Sequence, residues 1–110
     1  MSDLYKSNPN DLAADLLTDV YTCPPSRTAR ISVVFANRTA VATTIRLAVA
    51  PDGAADAVGH YLLYDTELPA NGSIFVDEIS IQASDVVRAR AADSGVSVNV
   101  FINEVGESFI

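Results

Sequence analysis

The chain has 110 residues, 49% of them hydrophobic, with Lys+Arg 7 against Asp+Glu 14 and a net charge of -7. That length holds one domain around one core, and the acidity removes the basic stripe by which free DNA or RNA is bound and disfavours an anionic membrane surface. No stretch approaches the roughly 20 apolar residues of a membrane span, and Met1–Lys6 has neither the charged nor the apolar region of a signal peptide, so the chain is expected to be made in a cytosol.

Residues 1–15 differ from the rest. Ser7-Asn8-Pro9-Asn10 reads as a break, and Asn10–Leu16 has the composition of one or two helical turns capped by Asn8 or Asn10. Leu4 and Tyr5 stand in a polar setting ahead of any core element. This segment reads as an N-terminal arm (1–15), either frayed or docked on a neighbouring subunit.

Residues 16–110 read as the domain proper. About seven short runs carry apolar residues at every second position, the period of strands with one buried face. Leu17, Tyr21 and Cys23 alternate with polar residues in the first, which Pro24-Pro25-Ser26 ends. Ile31, Val33 and Phe35 share a face in the second, and Ile45, Leu47 and Val49 in the third. Pro51–Asp56 is a loop and a candidate contact site. His60–Leu68 is the fourth strand, with Tyr61 and Leu63 on one face and Leu62 and Tyr64 on the other, as though both faces were covered. Pro69-Ala70-Asn71-Gly72 carries the Asn-Gly signal of a tight hairpin turn. Ile74 and Val76 share a face of the fifth strand, with Phe75 opposite. Ile79 and Ile81 resume out of phase, which predicts a bulge near Asp77-Glu78. Val86–Ala91 is the sixth. Asp93-Ser94-Gly95 turns into the seventh, where Val96, Val98, Val100 and Ile102 face one way and Asn99, Phe101 and Asn103 the other. The pattern predicts an all-β fold, a single β-sandwich, Ig-like or jelly-roll-like, of about seven to eight antiparallel strands.

The residues point away from catalysis. His60 has no second histidine or nearby cysteine for a zinc site, and no serine sits in a nucleophile elbow. A single Cys23 forms no internal disulfide and packs as a small hydrophobe. Asp65 and Glu67, two apart on one strand face, read as a solvated acidic edge that guards against wrong strand pairing, and a calcium site would have to add Asp52 and Asp56 to them. The alternative is acid–base or calcium chemistry, for which the loop spacing is absent. The five glycines are scattered among turns, not gathered in a phosphate loop. No catalytic, cofactor-binding or metal residue is assigned. Arg88 and Arg90 share a face and pair either with a neighbouring subunit's acids or across their own sheet.

Several segments together resemble a small β-sandwich domain of tailed-bacteriophage virion proteins. Val20-Tyr21-Thr22-Cys23-Pro24-Pro25-Ser26-Arg27-Thr28-Ala29 is similar to that family's opening "LYT-x-P-x-G-x-T-A", with Ser26 where glycine is common. Ala36–Ala40 with Ala42–Val49, His60–Asp65 with Leu68–Gly72, and Asp85–Ala91 leading to Gly95–Ile102 follow in the family's order over roughly residues 20–105. The resemblance implies a non-enzymatic virion protein without cofactors, assembled in the host bacterial cytoplasm. Its implied place is head decoration (cement), collar, neck, tail or baseplate. It also implies symmetric homo-oligomers, a trimer or ring, and partners such as the major capsid or a neck or tail protein. A carbohydrate- or receptor-binding module of a fibre or tail tip is the alternative. The residues expected at a subunit interface are Leu4, Tyr5, Leu12, Tyr64, Arg88, Arg90, Phe109 and Ile110.

Overall fold

A computed structural model describes residues 3–106. Its strands are β1 Asp3–Leu12, β2 Thr18–Thr22, β3 Arg27–Asn37, β4 Thr43–Ala50, β5 Tyr61–Leu68, β6 Ser73–Ile81, β7 Val86–Ala91 and β8 Val96–Gly106. Two short 3₁₀ turns, Pro51–Gly53 and Val58–His60, lie in the loop between β4 and β5. The strands form two four-stranded sheets, ordered β1-β8-β3-β6 and β2-β7-β4-β5. Pairing within both sheets is antiparallel. Every connection except β4–β5 crosses from one sheet to the other. That winding is the jelly roll, which decides between the two sandwiches the pattern allowed.

The core is the alternation made solid. Ile31, Val33 and Phe35 of β3 and Val96, Val98, Val100 and Ile102 of β8 face Ile45 and Leu47 of β4, Val87 and Ala89 of β7, and Leu68 of β5, all buried. Each such large side chain contributes about 1.5–3 kcal/mol of hydrophobic stabilisation. Cys23 is buried among them as a free thiol.

Residues 3–12, expected as part of an arm, form an edge strand instead. β1 runs alongside β8 from Asp3↔Val105 to Leu12↔Val96. The helical turns expected over 10–16 are absent, because Asn10, Asp11 and Leu12 are in that ladder and Leu12, 2% exposed, anchors it in the core. The Asn-Gly turn also differs from expectation. Gly72 N–H bonds Pro69 C=O at 3.0 Å, and Asn71 takes the left-handed conformation (φ 53°), but β5 and β6 lie in different sheets. The turn is an arch between layers, not a hairpin.

Three arches meet at that end. Asn37, 3% exposed, donates through Nδ2 to Val41 C=O at 2.9 Å and to Leu68 and Pro69 C=O at 3.3 and 3.2 Å; its Oδ1 accepts from Thr39 N–H and Oγ1–H. Arg38 N–H reaches Gly95 C=O at 2.9 Å, and Thr43 Oγ1–H reaches Asp93 at 2.8 Å. One buried amide thus satisfies carbonyls that would otherwise be stranded where chain leaves sheet.

Each edge strand is irregular, which blunts addition of foreign strands. β1 contains Pro9. β2 is bulged at Val20, and the expected bulge of β6 lies at Asp77-Glu78, with Glu78 at φ 56°. β5 shifts register against β4 twice, around Leu62 and around Tyr64-Asp65, with Asp65 at φ 49°.

Candidate interaction surfaces

The two outer faces of the sandwich are chemically unlike. On the first sheet, the residues of even parity in β3 and odd parity in β8 and β1 point outward, and the ladder brings apolar ones into line. Tyr5 pairs with Asn103, Phe101 with Ser7 and Ser32, and Val34 with both Asn99 and Phe75. Tyr5, Phe101, Val34 and Phe75 therefore form a diagonal stripe across all four strands. Direct pairs on one face lie roughly 5 Å apart and diagonal ones roughly 7–8 Å. Tyr5 is 75%, Phe75 59% and Phe101 46% exposed. Amides flank the stripe, and the Oδ1 atoms of Asn99 and Asn103 have no hydrogen-bond partner. A shallow depression beside Asn103 is lined by Thr28, Arg30, Ser80 and Gln82.

The second sheet's outer face is ionic and internally matched. Arg88 Nε donates to Asp19 at 2.9 Å, Arg90 Nε to Asp15 at 3.0 Å, and Arg46 holds Asp65 through Nε at 2.7 Å and Nη2 at 3.1 Å. The Arg46 guanidinium holds the Asp65 carboxyl below the usual carboxylate range. It also stacks over the Tyr64 ring, 4.0 Å from its centroid. Tyr61 stands edge-on to Tyr64, with centroids 5.0 Å apart and planes at 82°. The expectation that these tyrosines point to opposite faces fails because the β5 bulges change the parity between them. With one face under Arg46 and an edge against Tyr61, Tyr64 is not an open stacking platform.

The interface residues named from sequence fall in different places. Leu4 and Tyr5 are exposed near the start of β1, and Tyr64 is exposed on the other sheet. Leu12 is buried in the core of its own chain. Arg88 and Arg90 pair locally, across their own sheet and with the β1–β2 connection. Phe109 and Ile110 lie outside the described residues. Sequence reasoning placed Phe75 and Phe101 outward but did not join them to Tyr5; only the strand order does that.

It also missed Glu104, although it continues the inward parity of Val96 to Ile102. Glu104 is 1% exposed. Lys6 Nζ of β1 lies 2.8 Å from its Oε2, which also accepts the Tyr21 hydroxyl of β2. Arg27 Nε of β3 stands 3.9 Å from Oε1. Burial pushes the Glu104 carboxyl up, but hydrogen bonds from Lys6 and Tyr21 and the charges of Lys6 and Arg27 outweigh it, and the group sits below its ordinary value. Burial, then Glu104, pushes the Tyr21 hydroxyl far up, so it stays a donor. Burial likewise raises the Cys23 thiol, whose Sγ lies 3.5 Å from Arg27 C=O, so it is a packed thiol and not a thiolate nucleophile. Among the described residues no group of three or more His, Cys, Asp or Glu side chains is placed to hold a metal ion.

The fold defines a jelly-roll β-sandwich with one apolar and one ionic face. It is similar to a chain of the acid-stable capsid structure of Helicobacter pylori bacteriophage KHP30, with a TM-score of 0.57 and 11% identity over 97% of this chain and 90% of that one. At that identity the likeness is one of fold. No protein-family model matches the chain, and no curated protein matches it.

Proposed function

We propose that the chain is a non-enzymatic structural protein of a tailed-phage particle. It decorates or cements the head, or attaches at the neck or tail, through packing against neighbouring subunits. The observation that carries this reading is the likeness of the whole jelly roll, end to end, to a chain from a phage capsid structure. The apolar stripe supports it: four outward apolar residues in line are more than a small monomer needs to expose. The irregular edges support it too, since they direct association to faces and away from strand addition. The alternative, a carbohydrate-binding tip module, draws no support from Tyr61 and Tyr64, which offer no open aromatic plane.

The test is particle association. Phage particles purified from cells that express a tagged copy of this chain are expected to carry it in stoichiometric amount, and light scattering on the purified protein is expected to give a trimer or larger ring. A monomer that also fails to associate with any particle overturns the reading.

A further inference from the structure

The outer face of the first sheet carries two unpaired charges beside its apolar stripe. Of the 7 lysines and arginines, all but Arg30 have an acid within 3.9 Å among the described residues. Arg30 is exposed and points outward from β3, with Asn103 of β8 and Ser80 of β6 opposite it. Asp77 is exposed at the β6 bulge and likewise has no cation beside it among the described residues. Its Oδ1 accepts from Ser32 Oγ–H and from Glu78 N–H, the latter at 2.8 Å, which sets the carboxylate on the same outer face.

The ladder lays these residues out as a grid. Tyr5, Asn103, Arg30 and Ser80 form one outward row. Ser7, Phe101 and Ser32 form the next, with Asp77 beside Ser32, and Pro9, Asn99, Val34 and Phe75 form the third. Strands lie roughly 4.8 Å apart and such rows roughly 6.8 Å. Consider a two-fold axis lying in this face, passing between Phe101 and Ser32 and perpendicular to the line from Arg30 to Asp77. It exchanges the positions of Arg30 and Asp77. The same axis brings Phe101 against Phe101 of a second copy and Tyr5 against Val34 and Phe75 of that copy. The strands of the two copies then cross at roughly 70°, close to the orthogonal class of sheet packing.

We propose that this face is a two-fold contact between copies of the chain, in which each apolar stripe is buried on the other and Arg30 of each copy pairs with Asp77 of its partner. The contact rests on the reading of the chain as an assembly subunit and names the partner at this surface. Self-complementarity selects a second copy: an isologous contact requires residue i to meet j and j to meet i, and one axis satisfies that for the charges and the stripe together. The two unpaired groups are of opposite sign, so each copy supplies what the other lacks although the chain as a whole carries -7. The stripe supplies the burial, and the Arg30–Asp77 pairs fix the register, since charges at the rim of an interface act chiefly on specificity. A two-fold contact doubles whatever the remaining surfaces build, a single chain into a dimer or a trimer into a hexamer.

The experiment is a charge swap read by analytical ultracentrifugation of the purified full chain. Arg30→Asp sets two aspartates against each other at both ends of the contact, and Asp77→Arg sets two arginines there. Each variant alone is expected to sediment at half the native mass. An equimolar mixture of the two is expected to regain the native mass, because both ends of the mixed pair then hold one aspartate and one arginine. The double variant Arg30→Asp/Asp77→Arg is expected to assemble as the native chain does. Arg30 has no ion-pair partner of its own, so Arg30→Asp is expected to keep the native urea midpoint, which separates loss of assembly from loss of fold. Single variants that keep the native mass, or a mixture that regains nothing, overturn the two-fold contact, and so does a native chain that is a monomer. Loss of particle association by Arg30→Asp without a change in mass also overturns it and assigns the face to another protein. The masses are read on purified protein, so their failure leaves the virion reading to stand or fall on particle association.

Discussion

Glu104 is the residue whose chemistry most exceeds its place in the alternation. A carboxylate among valines is tolerated because Lys6, Tyr21 and Arg27, from three other strands, converge on it. Lys6→Met leaves that charge without its close partner, and a urea titration is expected to show a loss of about 1–3 kcal/mol, below the range for fully buried pairs because Lys6 itself is partly in water. Adding Glu104→Leu is expected to recover most of it, since apolar replacement of a whole buried pair is often neutral. The pH dependence has a fixed sign. The folded-state pKa of Glu104 lies below its unfolded value. Its contribution is therefore complete above the ordinary carboxylate range, near about 4.3, and is lost as pH falls through the folded value. Unfolding free energies measured from neutral to acid pH are expected to fall less steeply for Glu104→Gln than for the native chain. Gly95 is demanding in another way. It has φ 91°, and a Cβ there would stand 2.4 Å from Thr39 Cγ2. Gly95→Ala is expected to cost roughly 1–3 kcal/mol in the same titration.

Among the elements, what was legible in the sequence was whatever had one clean apolar face. β3, β4, β7 and β8 stand where the period-two runs placed them, and the Asp77-Glu78 bulge was visible as a phase shift between Ile74-Val76 and Ile79-Ile81. β1 was not legible. Its inward residues include Lys6, Asn8 and Asn10, and Pro9 interrupts it, so local composition read as loop while pairing with β8 made it strand. The tyrosines of β5 were misplaced because two register shifts in one strand leave no mark in hydrophobic parity. The candidate surface was half legible: Phe75 and Phe101 were seen to face outward, but their alignment with Tyr5 depends on the order β1-β8-β3-β6, which no periodicity encodes. The strand reading of residues 3–12 has its own consequence. An arm can be removed without harm to the fold. Deleting residues 1–12 is instead expected to lower the urea midpoint sharply, by about 3 kcal/mol or more in stability, since it uncovers the β8 edge, removes Leu12 from the core and leaves Glu104 without Lys6. A deletion variant of native stability would mean that β1 contributes nothing to its own sandwich.

At the scale of the molecule, the two outer faces of the sandwich differ in what they would offer a neighbour. The ionic face has satisfied itself: Arg46, Arg88 and Arg90 each have an aspartate within the chain. A partner there would have to break existing pairs. The apolar face has no such internal closure. Its large side chains, Tyr5, Phe75 and Phe101, remain exposed to water. Burial of Phe75, Phe101, Val34 and Tyr5 against a neighbour therefore has the favourable sign, and burial of the ionic face does not. The variant Phe75→Ser/Phe101→Ser separates the two. Both residues point outward, so stability is expected to change by no more than about 1 kcal/mol. Association, read as the mass in solution and as retention on particles, is expected to be lost. Tyr64→Ser on the opposite face is expected to leave both readouts near native. The reverse outcome, with the stripe variant assembling normally and the Tyr64 variant failing, would place the working surface on the ionic sheet and would make its Arg–Asp pairs the groups that re-pair across subunits.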